Sequence, residues 1–247
     1  LYGFGIGAKK GFLWRITDRL QLGAVYSPPT WMTDAKGKGN LNFANFVKEK
    51  VPETDLLVPN NGEYGYAGKY DIELDFNLPQ YAGVGLSYLL LDNLLIGLDF
   101  KWIDYSDTQY ELKTKLRNGN NKDLNELVGS ENVDASLLTG WDDQYVISTG
   151  IVWQPESRWI FRLGYNYGNN PVKKKYLNPQ LAAITEHHIT IGSSYLISRN
   201  VTVSFLFTCA LPNKLKSDTE NLVHEQFANS EIEVFNISSI IGVTWRF

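Results

Sequence analysis

The chain has 247 residues, 43% hydrophobic and 20% charged, with a net charge of −4 and a pI near 5.5. That balance argues against nucleic acid as a partner. With no run of about 18 apolar residues, no helix can cross a bilayer, though a membrane β-barrel, in which only alternate residues face lipid, gives the same numbers.

One cysteine, Cys209, leaves no internal disulfide. Aromatic residues are plentiful at 13%, and where they fall is informative.

The predicted elements run in a repeating rhythm. A first strand covers residues 1–16, and its phase puts Lys10 on the outward face. At mid-membrane such a lysine costs about 2–4 kcal/mol, unless a bulge, a shifted phase or interfacial placement removes the conflict. The turn Thr17-Asp18-Arg19 leads to a strand over 20–32, with Val25 inward. Residues 33–68 read as a long loop. Its Phe43, Phe46, Val47 and Leu56-Leu57-Val58 suit either a capture groove or a short helix over the barrel mouth. A strand over 69–90 and the turn Leu91-Asp92-Asn93 follow. Next, Leu94, Ile96, Leu98, Phe100 and Trp102 alternate with Gly97, Asp99 and Lys101.

A second long loop spans 116–140, and its acidic Asp142-Asp143 neighbour reads as a solvated turn. Strands at 144–153 and 159–168 flank the turn Pro155-Glu156-Ser157-Arg158. In the second of these, Trp159, Phe161, Leu163, Tyr165 and Tyr167 oppose Arg162, Gly164, Asn166 and Gly168. A loop over 173–187 precedes a strand at 188–197. The turn Ser198-Arg199-Asn200 then leads to a strand at 201–211, a loop at 212–230 and a last strand at 231–247.

This makes nine strands, with short turns at one end and long polar loops at the other. That is the sorting of an outer-membrane barrel. Trp14, Tyr88, Trp153, Trp159, Tyr195, Trp245 and Phe247 lie by the short turns or the C-terminus. Trp31, Trp102, Tyr145, Tyr165, Tyr167 and Phe235 lie toward the long loops. Two aromatic bands fit two membrane interfaces. The predicted fold class is all-β: an antiparallel up-and-down transmembrane β-barrel, with 1–247 as a single barrel domain.

No catalytic constellation stands out. His188, Ser194 and Asp99 share the inward phase, but no G-x-S-x-G elbow is present. No spacing suggests a metal, and no cofactor is expected. The inward polar residues Asp99, Lys101, Arg162, Asn166 and His188, with Arg246, are the candidate lumen contacts. One reading has them stabilise the interior by hydrogen bonds and ion pairs. The other has Lys101 or Arg162 hold a carboxylate head group. Val25, Val146, Val152, Ile160, Leu196, Leu206 and Ile240 share the inward face. A mixed lining suits an apolar pocket better than a water-filled pore.

Several stretches carry a resemblance. They are Leu78-Pro79 before Gly83-Val84-Gly85-Leu86-Ser87-Tyr88, Gly140-Trp141-Asp142-Asp143-Gln144-Tyr145, and Trp159-Ile160-Phe161-Arg162-Leu163-Gly164-Tyr165 with Asn170-Pro171-Val172. His188-Ile189-Thr190-Ile191-Gly192 with Ser194-Tyr195 follows. In order and spacing they resemble the C-terminal portion of the outer-membrane long-chain fatty-acid and aromatic-hydrocarbon transporter family (FadL/TodX type). Trp245-Arg246-Phe247 is similar to the terminal signal read by the barrel-assembly machinery, with Phe247 as its anchor.

The resemblance implies a barrel of about fourteen strands around an N-terminal plug, of which these are the last nine. The sequence opens inside a strand and lacks an initial Met, so plug and early strands are expected to lie outside it. It implies uptake of hydrophobic cargo: capture by outer loops, an apolar pocket, then release through plug movement and a lateral gap. The expected partners are that cargo and outer-membrane lipid. The family's basic head-group residue has no counterpart in Ser136-Leu137-Leu138-Thr139, which leaves uncharged hydrophobes or aromatic hydrocarbons open as cargo. A diffusion porin for polar solutes, a structural or adhesive barrel and a soluble all-β protein are the competing readings.

Overall fold

The computed structural model describes residues 1–42, 67–219, 223 and 227–246. Its strands, in chain order, are β1 (Gly5–Ile6), β2 (Lys10–Arg15), β3 (Leu20–Ser27), β4 (Trp31–Met32), β5 (Ala35–Asn42), β6 (Ala67–Leu74), β7 (Tyr81–Leu91) and β8 (Leu94–Ile103). After these come β9 (Glu111–Arg117), β10 (Val133–Leu138), β11 (Gln144–Trp153), β12 (Trp159–Gly168), β13 (His187–Leu196), β14 (Val201–Lys216) and β15 (Glu231–Trp245). Two short helices are α1 (Tyr105–Thr108) and α2 (Lys122–Val128). The chain divides into two compact units.

The larger unit comprises Gly7–Thr30, Pro79–Tyr110 and Thr139–Phe247. Its sheet has nine strands in the order β15-β14-β13-β12-β11-β8-β7-β3-β2, every pair antiparallel. Neighbours in the sheet are neighbours among these strands in the chain, which is the up-and-down order that alternation predicts. Short turns close one end. There the Thr17 hydroxyl accepts from the Arg19 and Leu20 amides, and Arg19 pairs with Asp92 of the next turn at 2.9 Å.

The register sorts the side chains. Trp14, Leu22, Leu86, Leu98, Ile151, Leu163, Ile191, Phe207 and Val243 fall on one face, and that face is open: Leu163 is 52% and Ile191 53% exposed. An apolar surface of this extent matches hydrocarbon. The opposite, luminal face carries glycine, hydroxyl and charged residues.

Aromatics mark both ends of the apolar face. At the short-turn end Trp159 stacks on Phe161 (5.6 Å) and tilts against Tyr195 (4.7 Å). At the other, Trp102 pairs with Tyr145, and Tyr167 packs on His187 at 5.1 Å.

Four details refine the sequence reading. The second strand stops at Ser27, because Pro28-Pro29 cannot continue the ladder, and Trp31 lies in β4 of the smaller unit. Residues 69–90 form two strands, β6 and β7, broken before Pro79. β14 passes Pro212 by a register shift between Ala210 and Asn213 and runs on to Lys216. Lys10 is the first residue of β2 and pairs with Tyr26 at the long-loop end. It therefore stands at the interface, which removes its conflict with mid-membrane placement.

The smaller unit comprises Leu1–Ile6, Trp31–Leu78 and Glu111–Leu138. β1 pairs with β4, and a four-stranded antiparallel sheet has the order β10-β9-β6-β5. Stretches read as plain loop thus hold strands. One face buries Tyr70 and Leu116 under Leu124 of α2. Asn121 starts that helix by accepting from the Leu124 amide at 3.1 Å. The other face carries cross-strand ion pairs, among them Lys36–Glu73 (2.7 Å), Lys38–Asp71 (3.4 Å) and Arg117–Asp134. Phe43, Phe46, Val47, Leu56-Leu57-Val58 and the C-terminal Phe247 lie outside the described residues.

Candidate functional site: the luminal wall

Ladder pairing places luminal side chains in rows across the sheet. One row runs Leu13, Gly23, Gly85, Asp99, Ser148, Asn166, His188, Ala210, Asn236. Three of the six candidate residues therefore share a single row. Lys101 stands one row toward the long loops, paired with Gly83 and Val146. Arg162 stands two rows toward the short turns, paired with Val152 and Gly192.

Sharing a row is not contact. Strands lie about 4.8 Å apart, so Asp99 and His188, three strands removed, are about 15 Å apart. Ser194 is engaged elsewhere: its hydroxyl accepts from Arg162 Nη1 at 2.8 Å and lies 2.8 Å from the Ser204 hydroxyl. His188, Ser194 and Asp99, which share the inward phase, therefore do not meet.

The wall has two chemically different halves. In the β11 to β15 half, hydroxyls and amides bond to one another. Ser194 is 2% exposed beneath Arg162, Thr190 faces Thr208 at 3.3 Å, and Asn166 donates to Ser148 at 2.8 Å. His188 Nε2 lies 3.4 Å from the Thr185 hydroxyl, and its Nδ1 is buried without a partner. These groups mainly satisfy each other, as buried polar groups must.

The β2, β3, β7 and β8 half is different. Glycines at 23, 83, 85 and 97, with Leu13 and Val25, floor a concavity of about 490 Å³, and Asp99, Lys101 and Ser148 rim it. Asp99 leans over Gly85, where its carboxylate fills the space a Cβ would need. A side chain at Gly85 would displace Asp99 and fill the floor. At the long-loop end of this half, two lysines approach the Tyr81 ring: Lys9 Nζ is 5.3 Å and Lys101 Nζ 5.8 Å from its centroid. Lys9 and Tyr81 escaped sequence reasoning. Their odd phase, shared with Gly11 and Gly83, is the signal that could have found them.

A hydrogen-bonded rim closes the long-loop end. Tyr26 donates to Gln80 (2.8 Å), and Gln80 to Asp104 (2.6 Å), which also caps α1 by accepting from the Asp107 amide. Asp143 accepts from Trp102 Nε1 at 2.8 Å and from the Ser106 amide at 3.1 Å. Burial pushes the Asp143 carboxyl up, but those hydrogen bonds outweigh it and hold the group below the ordinary carboxylate range. Asp142 pairs with Lys173 at 2.6 Å. Among the described residues no cluster of metal-ligating side chains is present.

Comparison with known proteins agrees with this wall. The profile of the family described as outer membrane protein transport protein (OMPP1/FadL/TodX) matches residues 2–247. No curated protein sequence matches the chain. Among solved structures, the Pseudomonas putida toluene transporter TodX superposes with a TM-score of 0.70 at 18% identity, over 98% of this chain and 50% of that one. The Ralstonia pickettii toluene transporter TbuX gives 0.63 at 18% identity, over 98% and 48%. A Pseudomonas aeruginosa FadL homologue gives 0.59 at 15% identity, over 96% and 50%. The chain spans about half the length of these structures.

Proposed function

Since the chain belongs to the outer membrane protein transport family (OMPP1/FadL/TodX), we propose that the protein it forms part of takes up hydrophobic small molecules by passive binding and diffusion. The observation that carries this reading is the glycine-floored concavity. Its volume of about 490 Å³ falls within the range of small-molecule sites, which are mostly apolar with a few placed polar groups. No energy source is needed, because apolar cargo lowers its free energy on leaving water for this wall. The apolar face meets outer-membrane lipid, and the strands that would close the barrel between the edges β2 and β15 come from the rest of the protein.

Of the candidate residues, Asp99 and Lys101 rim the concavity and touch cargo. Arg162, Asn166 and His188 belong to the hydrogen-bonded half and hold the wall in shape. That half is polar enough to support a second reading, a diffusion porin for polar solutes.

One binding experiment separates the readings. A fluorescent fatty acid is added to the full-length protein in detergent and competed with toluene and with sucrose. Saturable binding displaced by toluene and not by sucrose is expected. No saturable binding would discard the hydrophobic-cargo reading.

A further inference from the structure

The cations of the nine-strand sheet are sorted by kind. Of the seven arginines in the sequence, five stand at the short-turn end: Arg15, Arg19, Arg158, Arg199 and Arg246. No lysine stands there among the described residues. Arg19 is taken up by Asp92. The other four are exposed and, among the described residues, meet no carboxylate within ion-pair distance.

Three of these four lie on neighbouring strand ends. The Leu196 amide donates to the Arg158 carbonyl at 2.9 Å, which sets Arg158 against the end of β13. The turn Ser198-Arg199-Asn200 joins β13 to β14, and Asn200 is bonded to Arg246 twice. The Arg246 amide donates to the Asn200 carbonyl at 2.9 Å, and Asn200 Nδ2 donates to the Arg246 carbonyl at 2.7 Å. Arg246 follows the last residue of β15 and so lies beyond the luminal rows. From β12 to β15 there are three strand spacings, about 14 Å, so the three backbones form a row and not one cradle. The one acid on this edge among the described residues is Glu156, which forms no ion pair, and the edge is therefore cationic.

An indole stands beside two of the three. Trp159 follows Arg158 and Trp245 precedes Arg246, both on the apolar face. There Trp159 packs on Tyr195 at 4.7 Å, and Trp245 is 69% exposed. Trp14-Arg15 repeats the doublet on β2. An aromatic band marks the depth at which hydrocarbon gives way to head groups. An arginine one residue beyond it reaches that layer with its stem along apolar surface. Guanidinium matches a phosphate with paired N–H donors and is less strongly hydrated than ammonium, which suits arginine and not lysine to this edge.

From this row we infer that Arg158, Arg199 and Arg246 bind the phosphodiester head groups of anionic phospholipids, each guanidinium taking its own phosphate. The row thereby fixes the depth of the β12 to β15 edge in the membrane. The inference is independent of the cargo and rests only on the reading of the apolar face as lipid-facing.

The test is native mass spectrometry of the full-length protein in detergent, titrated with dioleoyl phosphatidylglycerol and with dioleoyl phosphatidylcholine. Phosphatidylglycerol is expected to be retained at about one-tenth of the phosphatidylcholine concentration or less. Arg158→Gln/Arg199→Gln/Arg246→Gln is expected to bring the two lipids together. Lys174→Gln/Lys175→Gln, in the long connection between β12 and β13, is expected to leave the preference unchanged. Glycerol phosphate, which has the charge without the tails, is expected not to compete; competition by it would make the edge a soluble-phosphate site and overturn the lipid. Equal retention by the wild type, a preference that survives the triple variant, or one lost in the lysine variant overturns the head-group row and leaves the lipid-facing wall standing. Retention of neither lipid overturns both. Should the triple variant fail to fold, Arg158→Gln and Arg199→Gln singly, each expected to lower the preference about two- to fivefold, decide the matter, and an unchanged preference in both overturns the row.

Discussion

Ile191 and Thr190 are adjacent in β13 and point to opposite faces, so one substitution at each measures what the faces meet. Ile191 pairs with Leu163 and Phe207 on the apolar face, and Thr190 with Gly164 and Thr208 on the luminal one. His187 and Tyr195 mark the ends of the aromatic bands, each four residues from Ile191. At about 3.4 Å per residue and a tilt near 40°, each lies about 10 Å along the membrane normal from Ile191. That puts Ile191 near the middle of an apolar band about 25 Å tall.

Ile191→Arg should then cost about 2–4 kcal/mol. Thr190→Arg should cost about 1 kcal/mol, the loss of its contact with Thr208. The assay is equilibrium unfolding of the full-length protein in lipid vesicles by denaturant, followed by tryptophan fluorescence. If Thr190→Arg costs as much as Ile191→Arg, the assignment of faces is wrong.

Three further outcomes follow from the site. Arg162→Ala removes the charge-assisted bond to buried Ser194, which keeps only its Ser204 neighbour, so stability should fall by about 1–3 kcal/mol while toluene affinity changes less than twofold; in denaturant and binding titrations, lost affinity without lost stability would make Arg162 a cargo contact. Gly140 has φ +53° and carries the Tyr176 ring against its backbone. Gly140→Ala should therefore cost about 1–2 kcal/mol from the backbone alone, seen as faster proteolysis of the long connections.

Asp143 titrates lower folded than unfolded, so its stabilisation is complete above the ordinary carboxylate pKa and fades as pH falls through the lower folded value. The melting-temperature difference between wild type and Asp143→Asn should thus be constant at neutral pH and shrink only below about pH 4. A difference that grew on acidification would contradict the bonding to Trp102 and Ser106.

Period-two alternation was enough to find all nine strands of the large sheet, because each strand separates two environments. It also sorted the turns, since the short ones need few residues and the long connections many. It missed β5, β9 and β10, and ran β6 and β7 together as one strand. In β5, Ala35, Gly37 and Gly39 give the buried face too little hydrophobicity to stand out from a polar loop. Lys10 illustrates a different limit: its phase was right, but its depth depends on where β2 begins.

At the site, phase alone put Asp99, Asn166 and His188 on the luminal face. Which of them meet depends on stagger between strands, which a single strand does not encode. Lys9 and Tyr81 meet Lys101 only through pairing of three strands. Their shared phase with Gly11 and Gly83 puts them on the luminal face but does not say that they meet.

The most direct test of the account is flux through the reconstituted full-length protein. Proteoliposomes are loaded with a solvatochromic dye and exposed to toluene, and in parallel to radiolabelled sucrose. Toluene entry faster than into empty liposomes, with sucrose entry unchanged, is the predicted result. Ready passage of sucrose with toluene entering no faster than the control would contradict it.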